Sequence, residues 1–377
     1  MKKVGFSMLA SLLLFSGVFA QKSIVVTNTS DIARKSEMVE VKACCKKNCI
    51  LKGSVILKNE KGEEVPYQLT YNNKKEVQGL IFLADVNAKS TATYAIVEGK
   101  PASVKAKTSG RFVPERKDDF AWENDFAAYR MYGPALAKEN PSNGVDFWAK
   151  KTEELIVDEF YFGELKQGLS YHRDRGHGLD FYKVAHTLGC GGIAPYFNDS
   201  LWIGNHFDSY EVLENGPLRT VFTLTYNAVK IGSETYKQTI TITVDAGSLL
   251  NKAEVKYSGK PLKMQLAPGV FLHDGKGNLN MSTGNTGIIT YAEEATSEFK
   301  EPSGRNYVAV VVPSKVKQNI NKNAHALLLA NYKAGASFTY YFGGGWNMWK
   351  FPTDSDWKKA VNEYTAALKH PLKVKIK

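Results

Sequence analysis

The chain has 377 residues, and 49 lysines and arginines outnumber 38 aspartates and glutamates, which gives a formal net charge of +11. This length allows one large domain or two of average size, and the basic excess favours anionic partners. No segment after residue 20 is apolar for long enough to cross a bilayer, which excludes a membrane-spanning helix there. Aromatic residues make up 12% of the chain, and their flat apolar faces suit stacking on sugar rings.

The first twenty residues have the pattern of a Sec-type signal peptide. Lys2 and Lys3 precede an apolar run at residues 8–15, and small residues up to Ala20 mark a cut that leaves Gln21 at the new N-terminus. The apolar run is too short to span a bilayer, and no cysteine follows the cut to carry a lipid anchor. We therefore expect an exported protein, in the periplasm or secreted. Nucleic acid is then excluded as a partner, since the chain also lacks a recognisable motif for it, and an acidic oligosaccharide fits better.

Three of the four cysteines, Cys44, Cys45 and Cys49, form a cluster, and the fourth is Cys190. The cluster lacks the second CxxC or histidine pair of a structural zinc site. In an oxidising compartment Cys44 or Cys45 can bridge to Cys49, whereas adjacent cysteines rarely pair with each other. We predict one local disulfide here and a small, buried role for Cys190, which stands between glycines.

Strand patterns dominate the chain from residue 23 onward. Short runs alternate apolar with polar residues and are rich in Val, Ile, Thr and Tyr, as half-buried strands are. Glycine and Asn-Gly steps separate many of them. The runs are residues 23–27, 38–41, 53–57, 91–97, 218–226, 235–244, 251–257, 308–312, 325–330 and 337–342. The pattern predicts an all-β protein, built as an antiparallel β-sandwich.

One clear helix is predicted, at residues 355–368 near the C-terminus, with Thr353 or Ser355 as its N-cap. Its apolar face is formed by Trp357, Val361, Tyr364 and Leu368. The strand pattern is interrupted at residues 100–117 by proline, serine, glycine and several lysines. We predict a small β-rich N-terminal unit at residues 21–100 and a main β-sandwich at residues 101–377.

The segment 171–183 concentrates titratable groups. It holds Tyr171, His172, Arg173, Asp174, Arg175, His177, Asp180, Tyr182 and Lys183. Gly176 and Gly178 flank His177 and allow a ligand to approach the backbone closely. Catalytic and binding residues concentrate on such loops, and a merely solvated loop has no use for three aromatic residues and two histidines. We predict that this segment carries the functional site.

Two other segments are similar in composition. Strand alternation places Arg130 and Tyr132 on one face, where they suit a carboxylate and a sugar ring, although an arginine covering an aromatic ring fits equally well. Asp146, Trp148 and Lys150 follow at a period of two, again on one face. The weaker candidates are Asn205, His206, Arg219, His273 and Asp274, which fit internal hydrogen bonding as well as ligand contact.

These segments carry a family resemblance. The motifs are Tyr129-Arg-Met-Tyr-Gly-Pro-Ala-Leu136, Gly144-Val-Asp-Phe-Trp-Ala-Lys150, the stretch from Tyr171-His to Gly178-Leu-Asp-Phe-Tyr-Lys-Val184, Gly189-Cys-Gly-Gly192 and Glu214-Asn-Gly-Pro-Leu-Arg219. In this order they resemble domain of unknown function 4861 over most of the chain. One departure is Ala185, where glycine is expected in relatives. The resemblance implies a galactose-mutarotase-like supersandwich that accompanies lyases, sulfatases and glycoside hydrolases in polysaccharide-degrading bacteria.

The resemblance also implies an activity. One similar class is an oligosaccharide dehydratase of ulvan breakdown. It removes water from a non-reducing-end glucuronate or iduronate attached to sulfated rhamnose, and leaves a 4,5-unsaturated uronate. The alternatives are a sugar epimerase or mutarotase, a hydrolase with Asp174 and Asp180 as paired carboxylates, and a non-catalytic oligosaccharide-binding protein.

Elimination from a uronate needs three groups: a cation on the carboxylate, a base for the C5 proton and an acid for the departing 4-hydroxyl. Candidates for the cation are Arg130, Arg173 and Lys183. His172 or His177 suits the base because imidazole titrates near neutral pH, and Tyr171 or Tyr182 suits the acid. Asp146 and Asp180 can orient a histidine or hold a sugar hydroxyl, and Tyr132 and Trp148 can contact the sugar. A divalent cation on His172, His177 and Asp180 is an alternative, but the spacing matches no standard metal motif, so no metal or cofactor is predicted.

Overall fold

In the computed structural model the protein consists mainly of antiparallel strands. The structure describes residues 22–377 except 43, 46, 47, 50, 52, 73, 140–143 and 260–262. The predicted signal peptide, residues 1–20, lies outside the described residues. The described part contains two α-helices, α1 (Val157–Phe162) and α2 (Asp354–Lys369). Neither of them has the length and apolar character that a membrane span requires.

The strands are short and follow one another closely. Those before α1 are β1 (Ser23–Asn28), β2 (Arg34–Lys42), β3 (Cys44–Cys45), β4 (Asn48–Cys49), β5 (Val55–Lys58), β6 (Tyr67–Tyr71), β7 (Val77–Val86), β8 (Ser90–Glu98), β9 (Ser109–Val113), β10 (Asp119–Glu123), β11 (Ala127–Met131) and β12 (Asp146–Lys150). Those after α1 are β13 (Gly178–Asp180), β14 (Ile193–Phe197), β15 (Ser200–Leu201), β16 (Phe207–Asn215), β17 (Arg219–Tyr226), β18 (Val229–Ile231), β19 (Glu234–Asp245), β20 (Asn251–Gly259), β21 (Lys263–Phe271), β22 (Asn278–Ser282), β23 (Gly287–Thr296), β24 (Pro302–Val312), β25 (Gln318–Lys322), β26 (His325–Lys333), β27 (Phe338–Trp346) and β28 (Lys373–Ile376). Single helical turns occupy Pro114–Arg116, Pro134–Leu136 and, in π-helical form, Gly163–Gln167.

The N-terminal strands form two sheets around an apolar core of their own. One sheet has the order β28–β1–β8–β5 and the other β2–β7–β6. Ile24, Val26, Phe82 and Tyr94 are among the buried residues of this core. Strand β28 pairs with β1, so residues 373–376 complete the N-terminal sheet. The division of the chain at residue 100 stays a prediction.

Three further sheets surround the main core. The largest has the order β16–β17–β19–β20–β27–β24–β23–β22, with β18 paired to β19, and the other two run β13–β12–β11–β10–β9 and β15–β14–β21–β26–β25. In the core the ring centroid of Trp122 lies 5.1 Å from that of Phe222 and 6.5 Å from that of Phe342. Strand β17 buries every second residue, as the alternating pattern requires. The predicted all-β antiparallel sandwich is confirmed.

The sheet β9–β13 is covered on both faces, and this positions the candidate site. Tyr129 and Phe147 point into the main core. Ala128 and Trp148, on the opposite face, pack with Phe160 of α1 in a second apolar cluster. Because α1 covers the outer face, all residues of β11 and β12 are buried. A polar side chain on either face therefore needs partners inside the protein.

Helix α2 begins with the predicted Thr353 cap. The Thr353 hydroxyl accepts from the Asp356 N–H at 3.2 Å, and the Asp356 carboxylate accepts from the Thr353 N–H at 3.1 Å. Trp357 and Val361 are buried in the interface with the large sheet. The predicted helix is confirmed, and each of the ten predicted strand runs overlaps an observed strand.

Three of the cysteines lie in the β3–β4 hairpin, and the fourth, Cys190, lies in the main core. Backbone pairing sets Cys44 opposite Cys49 in the β3–β4 hairpin. The side chains of Cys44, Cys45 and Cys49 lie outside the described residues, so their disulfide stays a prediction. Cys190 is a free, fully buried cysteine, and burial raises the pKa of its thiol. Its predicted role as a small buried residue is confirmed.

Candidate functional site

Arg130 lies on the outer face of β11, where three carboxyl groups surround its guanidinium. Its Nε donates to Asp146 Oδ2 at 2.6 Å, and its Nη2 donates to Asp180 Oδ2 at 2.9 Å. Its Nη1 lies 3.5 Å from Asp119 Oδ2. All four side chains are buried. We call these four residues, together with Tyr171, the Arg130 cluster.

Aromatic rings enclose the guanidinium on the remaining sides. Its central carbon lies 5.1 Å from the ring centroids of both Tyr132 and Trp148, and 5.5 Å from that of Tyr171. The Trp148 indole N–H also donates to Asp146 Oδ2 at 3.2 Å. These groups are as deeply buried as the arginine. They therefore support the loop above them, and the prediction that they contact substrate stays untested.

The pKa of each carboxyl group in the cluster is raised above its ordinary value. Burial raises the pKa of Asp119 to about 6, although Arg130 and Arg116 oppose this. Burial and the neighbouring Asp146 raise the pKa of Asp180 well above its ordinary value. Burial also raises the pKa of Asp146, against its contact with Arg130. Three buried carboxyls share one buried guanidinium, which cannot compensate all of their charge, and this is why the pKa of each lies above its ordinary value.

Tyr171 connects the cluster to the polar segment. Its hydroxyl oxygen accepts from Arg130 Nη1 at 3.1 Å and from Arg116 Nε at 3.2 Å. Its ring stacks on Trp148 with a centroid separation of 5.0 Å. Its carbonyl accepts from the Asp180 N–H at 2.9 Å, which ties the two ends of the loop 171–180 together. Tyr171 is therefore a buried anchor for this loop.

His172 follows Tyr171 and reaches the surface. Its Nδ1 lies 2.9 Å from the Asp180 carbonyl oxygen, which can only accept, so Nδ1 carries the proton and donates. In the neutral ring Nε2 then holds the lone pair, and this atom lies 3.6 Å from Glu298 Oε2. The Asp180 carboxylate lies 3.6 Å behind Nδ1. The side chain is 19% exposed, so a fixed imidazole presents its basic nitrogen toward the surface.

The other predicted cations of the segment are exposed. The Arg173 guanidinium lies 3.9 Å from the Phe299 ring centroid and 3.9 Å from Glu301 Oε1. The side chain of Lys183 is exposed, while its carbonyl accepts from a His273 ring nitrogen at 2.9 Å. These two residues are accessible to an anionic ligand in a way that Arg130 is not.

His177 and Asp174 belong to the outer surface. His177 Nδ1 lies 3.0 Å from Glu159 Oε2, and both side chains are about half exposed. The Asp174 carboxylate is bonded to Lys151, and it also accepts from the Gly176 N–H at 2.8 Å. These contacts hold the tip of the loop against α1 and β12.

Tyr182 lies on the other side of the segment, in the main core. Its ring meets the His273 ring edge to face at 4.9 Å, and its hydroxyl has no hydrogen-bond partner among the described residues. His273 Nδ1 lies 2.6 Å from Glu293 Oε1, which also accepts from the Asn306 amide at 3.3 Å. The Tyr182 hydroxyl is enclosed in the main core, and burial raises its pKa well above the ordinary value.

One comparison with known proteins shows the family. A family model described as "Domain of unknown function (DUF4861)" matches residues 26–374. The chain belongs to this family. The family predicted from the five motifs is thus confirmed. "Uncharacterized protein P7" of Formosa agariphila is 31% identical to this DUF4861 chain over 315 residues, which cover 79% of the chain and 78% of that protein.

Two similar solved structures come from Enterococcus faecalis. An alpha-mannosidase gives a TM-score of 0.48 at 8% identity, and the match covers 94% of the DUF4861 chain and 46% of the mannosidase chain. A protein in glycosyl hydrolase family 38 gives a TM-score of 0.47 at 8% identity, with 95% and 47% covered. The DUF4861 chain thus spans about half the length of these structures, and a likeness of this size decides nothing about activity.

The structure adds residues to the site that sequence reasoning did not find. Asp119 and Arg116 join the Arg130 cluster, and Glu293 and Glu298 reach the segment 171–183 from strand β23 and the turn after it. Nothing in the sequence links these residues to the segment, because strand pairing across the core brings them together. His273 was a weaker candidate and lies at the site. Within the described part of this DUF4861 chain, no group of three or more His, Cys, Asp or Glu residues has a geometry that could hold a metal ion.

Proposed function

We propose that this DUF4861 protein is an exported, carbohydrate-active carbon–oxygen lyase. It removes water from the non-reducing-end uronate of acidic, sulfated oligosaccharides of the ulvan type and produces a 4,5-unsaturated uronate. The observation that carries the proposal is the imidazole of His172, whose Nδ1 is fixed by a backbone carbonyl and whose Nε2 lies beside the exposed Glu298 carboxylate at the edge of the surface. Membership of the family and its motif resemblance to oligosaccharide dehydratases support the same reaction.

His172 is the base in this proposal. Its Nε2 takes the proton from C5 of the uronate, and the electron pair of that bond forms the C4–C5 double bond. The C4–O bond breaks, and the departing oxygen takes a proton and leaves as water. The Asp180 carbonyl accepts from the Nδ1–H and so stabilises the imidazolium that forms on His172.

Lys183 and Arg173 are the groups that neutralise the uronate carboxylate. Negative charge develops on this carboxylate when C5 loses its proton, so a nearby cation lowers the barrier. Arg130 is a poorer choice because its guanidinium is already bonded to Asp146 and Asp180 in the interior. Lys183 lies three residues after Asp180, whose carbonyl holds the imidazole of His172. Three residues of extended chain span at most about 10 Å.

In this proposal the departing oxygen takes its proton from solvent, because neither tyrosine predicted as the acid has an accessible hydroxyl. The Tyr171 hydroxyl already accepts from two arginines. The Tyr182 hydroxyl is enclosed in the main core, where burial raises its pKa well above the ordinary value. A hydrolase with Asp174 and Asp180 is disfavoured, since Asp180 points inward to Arg130 and Asp174 outward to Lys151.

The test is incubation of the purified protein with a saturated, uronate-terminated ulvan oligosaccharide. Elimination produces a conjugated acid, so ultraviolet absorbance rises while the oligosaccharide loses the mass of one water. The carboxyl-reduced oligosaccharide is the matched control and is expected to remain unchanged. Cleavage without a rise in absorbance would instead identify a hydrolase, and an unchanged acidic oligosaccharide would exclude both reactions for this substrate.

A further inference from the structure

A cavity of about 610 Å³ opens at one end of the sheet β15–β14–β21–β26–β25. Aromatic and amide side chains line it together, including Tyr196, Tyr332, Gln265 and Asn331. This volume lies within the range of small-molecule sites in proteins, which combine aromatic surface with a few polar groups. None of the residues of the candidate active site contributes to this lining.

Strand register arranges these side chains in a row. Tyr196 of β14 is directly opposite Gln265 of β21, which is directly opposite Asn331 of β26. Directly opposed residues of adjacent strands share a face, so an aromatic ring and two amides stand side by side. Lys333 lies two residues after Asn331, on the same face, and is exposed.

The chemistry of this row suits a hydroxyl-rich, anionic ligand. Each amide offers a carbonyl acceptor and an amino donor, which match sugar hydroxyls that both donate and accept. Phe197, which also belongs to the lining and is partly exposed, provides an apolar face for the C–H side of a sugar ring. Asp199, the acidic residue of the lining, is paired with Lys322 at 2.6 Å and bonded to the Tyr196 hydroxyl. Its charge is thereby compensated, and Lys333 leaves the cavity positive.

The cavity lies far from His273. Gln265 is near the start of β21, and His273 follows the end of that strand at Phe271. The six residues from Gln265 to Phe271 span about 20 Å at the usual rise of a strand. We infer that this cavity is a second, non-catalytic binding site for an acidic oligosaccharide, separate from the proposed site of elimination.

Binding is tested by calorimetry with a saturated, uronate-containing oligosaccharide. The protein carries His172→Ala, so that the ligand is not consumed during the titration. Two sites per chain are expected. Gln265→Ala and Asn331→Ala, which change partly or fully exposed side chains, are then added to this variant. They are expected to raise the Kd of one of the two sites at least tenfold. Lys317→Ala removes an exposed lysine at the start of β25, outside the cavity, and serves as the control.

The outcomes separate this inference from the proposed function. A single site that the double substitution leaves unchanged overturns the inference, whatever the activity of the wild-type protein. Loss of a site in the double variant supports it, even if the wild-type protein produces no unsaturated uronate. In the wild-type background the double variant is expected to keep its kcat on a disaccharide, which is too short to extend from one site to the other.

Discussion

The Arg130 cluster and the surface part of segment 171–183 are similar in composition but opposite in environment. The Arg130 side chain is 4% exposed and its three carboxylate neighbours are at most 2% exposed. In contrast, the side chains of Arg173 and His177 are 51% and 47% exposed. The same residue types therefore form a saturated interior network in one region and a set of accessible groups in the other.

This difference shows that a polar motif in the sequence does not by itself distinguish a structural cluster from a binding site. Buried charges remain only when they are paired, so a buried cluster fixes the positions of its members and of the backbone attached to them. Exposed charges are weakly held and free to exchange water for a ligand. His172 lies at the border, because its backbone is anchored by the cluster through Tyr171 and Asp180 while its Nε2 faces outward. The buried region fixes the position of the segment, and the exposed region is the part that can bind a ligand.

The largest effect is expected for Arg130→Ala. Removing the guanidinium leaves Asp119, Asp146 and Asp180 buried without their cation. Breaking a buried ion pair from one side costs about 3–5 kcal/mol, and here one side chain serves three partners. We expect the free energy of unfolding, measured by urea denaturation, to fall by at least this amount, or the folded protein to be lost.

Arg173→Ala is the matched control on the exposed side. Its guanidinium contacts Phe299 and Glu301, and all three side chains are exposed, so the free energy of unfolding should change by less than about 0.5 kcal/mol. If both variants unfold at the wild-type urea concentration, the Arg130 cluster does not support the fold as described.

His172→Ala is expected to lower turnover by about 10²- to 10⁴-fold, the usual contribution of a positioned base. The melting transition should stay near that of the wild type, because the imidazole is partly exposed and its loss opens no interior cavity. The rate of absorbance increase and a thermal melt measure the two quantities on the same preparation.

His177→Ala separates the role of His172 from a general effect of the segment. His177 bonds to Glu159 on the surface, so its removal should leave turnover within about twofold, since exposed pairs contribute little. Loss of activity in His177→Ala with normal activity in His172→Ala would reverse the assignment of the base.

Asp119→Asn tests the electrostatics of the buried region. The pKa of Asp119 is raised from 3.8 to about 6, so between these values the folded protein holds a proton that the unfolded chain has released. Its contribution to stability is present at low pH and is lost as the pH rises through about 6, a change of about 3 kcal/mol. Unfolding free energies measured from pH 4 to pH 7 should therefore decline less steeply in Asp119→Asn than in the wild type.

Asp354 provides a control of opposite sign. A hydrogen bond from Arg305 lowers the pKa of its carboxyl, so its stabilisation is present above the ordinary pKa and is lost as the pH falls through the folded value. Asp354→Asn should lose stability at pH 7 and approach the wild type at low pH. A pH profile for Asp119→Asn that coincides with the wild type would show that Asp119 does not titrate differently in the folded state.

The sequence predicts the fold well because the signals for it are local. Alternation in runs such as 219–226, and the Thr353 cap with Trp357 and Val361 on one helical face, depend on residues close in the chain. It also predicts that Arg130 and Tyr132 share a face of one strand, and that Asp146, Trp148 and Lys150 share a face of another. It does not predict that α1 covers these faces, since the segment around residue 160 has no helical pattern strong enough to be recognised. For this reason the sequence does not predict that these side chains are buried. Nor does it predict Glu298 or Glu293, which strand pairing brings to the segment from more than 100 residues away.

Lys183→Ala is expected to have the smallest effect, and it tests the exposed side of the comparison. If Lys183 binds the uronate carboxylate, its loss removes one exposed charge contact, worth about 1 kcal/mol, and KM for the acidic oligosaccharide should rise about fivefold. The wild-type KM should also rise with salt, because exposed charges are screened, and this dependence should be weaker in the variant. Lys166→Ala, which removes an exposed lysine from the π-helical turn after α1, controls for the change in net charge and should leave KM unchanged. An equal KM in Lys183→Ala and wild type would shift the carboxylate contact to Arg173, whose own substitution should then produce the fivefold rise.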